Sequence, residues 1–239
     1  MKVIFASTYY LLKIFFRIKQ AVFFSIVFPI FMFIIFNYVW MSKEDPSYVF
    51  FLLTGIIGMT IATDGIFVIG PLIKEYYSDG LIRYLLKKPS NILLHFIGVV
   101  LSRMIVLSSI VVILIIVANL LFGCTPVFKE IVNIYTTIVI GFLLFSFTGL
   151  SLSFASIKNK GGGRDLSNFF YFIVLFVSDT FYPVSELNPT IARIANLLPL
   201  NPLLELARGE GFNFVILIWM SISLGAFYFF FNKINFNRK

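Results

Sequence analysis

The sequence predicts an all-α integral membrane protein, and three observations carry that prediction. Hydrophobic residues make up 59% of the 239 and charged residues 13%, where a soluble domain averages about 25% charged. Mean hydropathy is strongly positive at +0.97. Six runs, 21–41, 48–72, 104–122, 131–157, 166–184 and 212–232, each approach the roughly 20 apolar residues a helix needs to cross a bilayer core. The chain reads as one transmembrane domain over 1–239, without room for a second folded unit between spans.

The first twenty residues form a separate element. On a helical wheel Lys2, Lys13, Arg17 and Gln20 share an arc with Ala6, Tyr9 and Tyr10, and Ile4, Leu11, Phe15 and Ile18 lie opposite. That pattern predicts an amphipathic helix on the inner membrane surface, apolar face down. The first span closes at Trp40, an interfacial anchor. The second is interrupted by Asp64, whose charge would cost about 2.5–3.5 kcal/mol at the bilayer centre and must face protein or water. Two roles stand open for it: a contact with cargo or another subunit, or a helix-packing partner.

Between the second and third spans lies Lys74-Glu75-Tyr76-Tyr77-Ser78-Asp79-Gly80-Leu81-Ile82-Arg83-Tyr84-Leu85-Leu86-Lys87-Lys88-Pro89-Ser90. Leu81, Tyr84, Leu85 and Lys88 have helical spacing, and Pro89 ends the helix they form. Such a helix could transmit a push from a cytoplasmic partner, or it could be an ordinary surface loop. The apolar stretch 92–102 ends at Arg103, near enough to the inner surface to snorkel. Asn37 and Asn119, nearer the outer ends, suit interhelical hydrogen bonds. Span five is the weakest, with Asp179 and Pro183 near its end; it either crosses or breaks and re-enters. Beyond it Asn188 reads as a helix N-cap with Pro189 at the first helical position. Ile191, Ile194, Ala195 and Leu198 make a short apolar stripe, and Pro199 and Pro202 end this outer helix.

Orientation follows from the basic residues. Fifteen of the 19 Lys and Arg fall on the side that carries both termini, and only Lys43, Lys129, Arg193 and Arg208 fall on the other. Both termini are therefore expected in the cytoplasm, in a multi-pass protein of the cell membrane. The formal net charge of +8 is spread over short segments between apolar runs, so nucleic acid is not an expected partner; membrane lipids are.

Motifs of soluble enzymes are missing. There is no phosphate loop, no serine nucleophile elbow and no glycine fingerprint after a strand. Gly161-Gly162-Gly163 reads as a flexible hinge. One cysteine, Cys124, and one histidine, His95, give neither an internal disulfide nor a His/Cys metal site. The first long apolar run starts near Ala21 with no small-residue cleavage pattern after it, so it does not read as a signal peptide.

Together these features resemble the membrane subunit of ATP-binding-cassette exporters of the type-2 permease family. The likeness covers nearly the whole chain and includes two local motifs. Gly80 and Pro89 match a glycine and a proline nine residues apart between spans two and three, although Glu75 and Asp79 are more widely spaced than the family's acidic pair. Ser178, Phe181, Tyr182 and Pro183 match a Ser-Gly-x-aromatic-aromatic-Pro signature, with Asp179 in place of the small residue. Pro199 and Arg208 fit the Pro-rich turn and arginine that follow.

The resemblance implies a non-catalytic permease subunit that binds no cofactor itself. ATP and Mg would be held by partner ATPase subunits, and a second permease subunit would complete a homo- or heterodimer. It implies coupling to the ATPase through Glu75, Asp79, Gly80, Leu81, Tyr84, Lys87, Lys88 and Pro89. It also implies a substrate path or gate at Asp64, Ser178, Asp179, Phe181, Tyr182 and Pro183. Cargo would be amphipathic or hydrophobic: a drug, an antimicrobial peptide or a lipid-linked molecule. Alternatives are a self-protection exporter against a membrane-active peptide and a non-transporting scaffold or sensor.

Overall fold

The computed structural model describes residues 2–40, 47–87, 92–155, 162–187 and 189–233, and all regular structure among them is helical. α1 (Lys2–Arg17) is followed at Ile18 by one extended residue and then by α2 (Lys19–Val22), a π-helical segment Phe23–Val27, and α3 (Phe28–Trp40). α4 (Ser47–Asp64), a second π segment Gly65–Ile69 and α5 (Gly70–Ser78) make one continuous rod. α6 (Leu81–Leu86), α7 (Ile92–Phe122), α8 (Phe128–Ala155) and α9 (Gly162–Val177) follow. The chain then runs through α10 (Val184–Leu187), α11 (Pro189–Ala195), α12 (Leu200–Arg208) and α13 (Val215–Lys233).

Five helical stretches among the described residues are long and apolar enough to cross a membrane: Lys19–Val39, Ser47–Ser78, Leu93–Phe122, Phe128–Ala155 and Val215–Asn232. They coincide with expected spans one to four and six. Expected span five, 166–184, differs: α9 stops at Val177 after 16 residues, about 24 Å at 1.5 Å per residue and short of a bilayer core of roughly 30 Å.

Both π segments have a local cause. Each lies just upstream of a proline, Pro29 or Pro71. Proline lacks the N–H that would bond the carbonyl four residues back, here Ser25 or Phe67, and its ring crowds that carbonyl. The wider π turn relieves both problems.

The Ser47–Ser78 rod is the centre of the fold. In its most apolar stretch 83% of residues are buried, against 17% for the first span and 11% for the last. It meets α8 along a seam of small residues that lets backbones touch. A Cβ on Gly149 would stand 2.5 Å from the Gly65 carbonyl oxygen, and one on Gly70 would stand 2.3 Å from the Gly149 carbonyl oxygen. α13 docks on α8 through Thr148 Oγ1 and Ser223 Oγ, 2.8 Å apart, and leaves Leu217, Ile218, Tyr228 and Phe229 exposed.

Four expectations need correction. Part of the apolar stripe of α1 packs on protein: Phe15 is buried, Leu11 joins the core, and Thr8 Oγ1 donates to the Gly98 carbonyl of α7 at 3.2 Å. Asn37 is buried but donates to the Phe33 carbonyl of its own helix at 2.8 Å, and Asn119 is exposed, so neither makes an interhelical bond among the described residues. Arg103 does not snorkel; it is buried, paired with Asp64. Pro199 and Pro202 do not end the outer structure: Pro199 precedes α12, and Pro202 lies in its first turn, where a missing N–H breaks no helical bond.

Candidate functional site

α5 stops at Ser78 and the chain turns at Asp79–Gly80. The Asp79 N–H donates to the Glu75 carbonyl at 2.9 Å and the Gly80 N–H to that of Tyr77 at 3.3 Å. Gly80 has φ +74°, and nothing lies within 4 Å of where its Cβ would be. The left-handed backbone conformation, not crowding, selects glycine here. Leu81 then starts α6, with the Tyr84 N–H donating to the Gly80 carbonyl at 3.2 Å. Glu75, Asp79, Tyr84 and Lys87 are exposed; Lys88 and Pro89 lie outside the described residues, as do Gly161 and Asn188. A cleft of about 520 Å³ opens beside the turn, lined by Lys74, Glu75 and Asp79, by Ser153 of α8, and by Arg164 and Ser167 of α9. Glu75 and Asp79 thus share a cleft with Lys74 and Arg164, whereas Leu81 and Tyr84 do not line it.

Within the bundle Asp64 and Arg103 form a two-pronged ion pair. Arg103 Nε donates to Asp64 Oδ2 at 2.9 Å and one Nη donates to Oδ1. The pair ties the last residue of α4 to α7, and the two residues are only 2% and 7% exposed. Phe15 of α1 lies against the guanidinium, 4.9 Å from ring centroid to Cζ. Three separate helices therefore converge where the rod changes from α to π. A cavity of about 120 Å³ lies on the Asp64 side, bounded by Phe24 and Phe28 of the first span and Tyr171 of α9. Tyr171 Oη and Thr63 Oγ1 are 2.9 Å apart at its wall.

At the other end of the rod, residues 178–183 dock on α4. A Cβ on Gly55 would be 1.9 Å from the Thr180 carbonyl oxygen, so only glycine admits that approach. Tyr48 Oη donates to the Phe181 carbonyl at 2.8 Å, and the Phe181 ring stacks on Phe36 at 4.6 Å. Arg208, at the end of α12, holds the turn from the other side. Its Nη2 donates to the Asp179 carbonyl at 2.6 Å and its Nε to Thr54 Oγ1 at 3.1 Å, with the guanidinium 3.9 Å above the Phe51 ring. The Asp179 carboxylate accepts from the Val184 N–H at 2.7 Å and so caps α10, which accounts for an acid at this position. Asn201 Oδ1 accepts the Asp179 N–H at 2.9 Å. Tyr182 Oη donates to the Phe176 carbonyl at 2.9 Å, and Pro183 ends the turn before α10. The Ser178 and Thr180 hydroxyls are buried without a hydrogen-bond partner among the described residues.

Residues 2–212 match the family model described as ABC-2 type transporter. The chain belongs to the ABC-2 type transporter family. No curated protein matches it. Family membership and the apolar helices make the chain a multi-pass membrane component of a transporter. The matched residues include both the Gly80 turn and the 178–183 turn, which the rod connects. Sequence reasoning missed the partnership of Arg103 with Asp64, although two opposite charges inside apolar runs were the available signal. It also missed α12, whose buried Leu200, Leu203 and Leu204 cover the outer half of α4 and α8.

Proposed function

We propose that this chain is the permease subunit of an ATP-driven exporter that moves an amphipathic or hydrophobic molecule out of the cell. One observation carries the reading: a single buried rod runs from the exposed Glu75–Lys87 hairpin to the outer turn at Ser178–Pro183. A push on the hairpin by a partner reaches the outer turn through a continuous helix, with no loop to absorb it. Separate cytoplasmic ATPase subunits bind ATP and Mg and supply that push; the chain itself is not an enzyme. Glu75, Asp79, Gly80, Leu81, Tyr84, Lys87, Lys88 and Pro89 form the docking and coupling element.

Ser178, Asp179, Phe181, Tyr182 and Pro183 form the outer gate, and Asp64 stands beside the path. Two buried hydroxyls without partners support a turn that exchanges contacts, since each costs roughly 1–3 kcal/mol in its present position. The exposed Phe169, Phe172 and Phe176 of α9 and Phe24 and Phe31 of the first span suit an apolar cargo and a second permease subunit. Residues 1–239 act as one domain in the cell membrane, both termini cytoplasmic, α9 and the outer turn forming a span that breaks before the surface.

The test is isolation of the tagged chain from native membranes in mild detergent, with bound proteins identified and ATP hydrolysis measured. A stoichiometric ATPase that is lost when residues 74–90 are replaced by an unrelated helix is the expected result. A chain that purifies alone without hydrolysis overturns the reading.

A further inference from the structure

A second cavity, of about 220 Å³, lies between α1, the start of the first span, the inner end of the rod and α7. Val99, Val106 and Arg103 form its buried floor, with exposures of 1%, 2% and 7%. Ile14 and Ile18 stand at its rim and are half-exposed, so the mouth opens at the break between α1 and α2. An apolar cavity of roughly 150 Å³ already accepts a benzene ring, so this one has room for a ring or a short alkyl segment.

The floor is not purely apolar. Arg103 spends Nε and one Nη on Asp64, and its remaining Nη has no partner among the described residues. That Nη is not fully enclosed, and a ligand acceptor that meets it in an otherwise apolar wall gains a charge-assisted hydrogen bond. Asp64 already neutralises the guanidinium. A second carboxylate at the free Nη would crowd two anions around one cation, whereas an uncharged acceptor meets no such opposition. We infer that this cavity is a binding site for an uncharged hydrophobic molecule, ring-sized at its inserted end, that carries a carbonyl, amide or hydroxyl oxygen accepting from the free Nη of Arg103. The mouth lies at the apolar edge of α1, so the molecule enters from the inner leaflet and not from bulk cytosol. The site does not depend on the exporter reading, and its test uses the chain without an ATPase.

Benzophenone is a suitable probe, because its neutral ketone is both the predicted acceptor and the group that reacts with nearby C–H bonds under ultraviolet light. The purified full chain in phosphatidylcholine nanodiscs is irradiated with labelled benzophenone, and the modified peptides are mapped. Saturable labelling confined to residues 11–25, 68–72 and 99–106 is expected, with benzophenone-4-carboxylate competing less well than unlabelled benzophenone. Val106→Trp, which fills the floor, and Leu12→Trp, which fills the wall from α1, are each expected to abolish saturable labelling. Ile116→Trp, on the lipid-facing side of the same helix, is expected to leave it unchanged. Asp64→Leu with Arg103→Met, which removes the donor without leaving a lone charge, is expected to weaken labelling while the melting temperature holds. Labelling that does not saturate, spreads along lipid-facing helices, or survives both filling variants overturns the inference. Tighter binding of the carboxylate overturns the charge argument.

Discussion

Breaking the Asp64–Arg103 pair from one side is the most informative perturbation of this fold. Arg103→Met leaves a carboxylate that is 2% exposed and has lost both donors reaching it. Removing one member of a buried pair costs about 3–5 kcal/mol, most of it the uncompensated charge. Asp64→Leu strands the guanidinium and is expected to cost a similar amount, less whatever the adjacent Phe15 ring contributes through its cation–π contact, about 0.5–2 kcal/mol. Replacing both partners together removes both charges and keeps the volume, so Asp64→Leu/Arg103→Met is expected to fall within about 1–2 kcal/mol of the parent. For a chain of this size each kcal/mol moves the melting temperature by roughly 2–4 °C. Arg103→Met should therefore melt about 6–20 °C below the parent, Asp64→Leu somewhat less, and the double variant close to it, read by tryptophan or dye-based melting in nanodiscs. The reasoning is refuted if Arg103→Met melts within about 4 °C of the parent. It is equally refuted if the double variant is as unstable as the singles, because the penalty would then not come from a stranded charge.

Other perturbations test the ends of the rod. Gly80→Pro cannot hold φ +74°; it is expected to leave membrane insertion intact and abolish transport-linked ATP hydrolysis in the assembled complex, with unchanged hydrolysis counting against the coupling role. Gly55→Val places a side chain where the Thr180 carbonyl lies, 1.9 Å from the Cβ position; the outer turn should undock, seen as new protease or cysteine-label access at 178–183 in a chain that still inserts. Arg208→Gln loses the charge and much of the fork that joins the Asp179 carbonyl, Thr54 and the Phe51 ring, and should lower stability by about 2 kcal/mol, within the usual range for charged hydrogen bonds. Gly149→Leu at the α8 seam should cost at least as much as an overpacked core position, about 1–3 kcal/mol, and a variant that melts like the parent would contradict the close backbone approach there.

Hydropathy alone located the long spans, because lipid-facing helices must be apolar over their whole length whatever they touch. The helix after Gly80 was also legible, since Leu81, Tyr84 and Leu85 have helical spacing. What escaped was set by tertiary partners. Arg103 lies near an apolar boundary and snorkelling would serve it; only the position of Asp64 on the facing helix makes burial favourable. Asn37 is buried, yet its Nδ2 bonds the Phe33 carbonyl of its own helix while its Oδ1 has no partner among the described residues, a choice no linear pattern records. Pro199 and Pro202 looked like an end because proline stops helices, but the same residue at a first turn starts one. The two π segments required reading each proline together with the carbonyl four residues before it.

The distribution of polar contacts along the rod bears on how it can move. Its outer half is held by groups that accept and donate on fixed backbone: the Tyr48 hydroxyl to Phe181, the Thr54 hydroxyl to Arg208, and Gly55 against Thr180. Its other half is held by the Asp64–Arg103 pair, by the Thr63–Tyr171 hydroxyl contact and by small-residue contact with α8. Between them lies the π segment, where helical bonds are already rearranged around Pro71. A twist applied at the Gly80 hairpin meets least resistance at that segment, since the π turn interrupts the regular α hydrogen-bond ladder there. The ion pair sits at Asp64, the residue just before the segment, and fixes its rotational setting against α7. On this reasoning the pair acts as a stop, not as a hinge: neutralising both partners should leave stability near the parent yet uncouple hydrolysis from transport, so that ATP turnover by the assembled complex persists while cargo movement falls. Parental coupling in the Asp64→Leu/Arg103→Met chain would show that the seam with α8 sets the rotation without help from the charges.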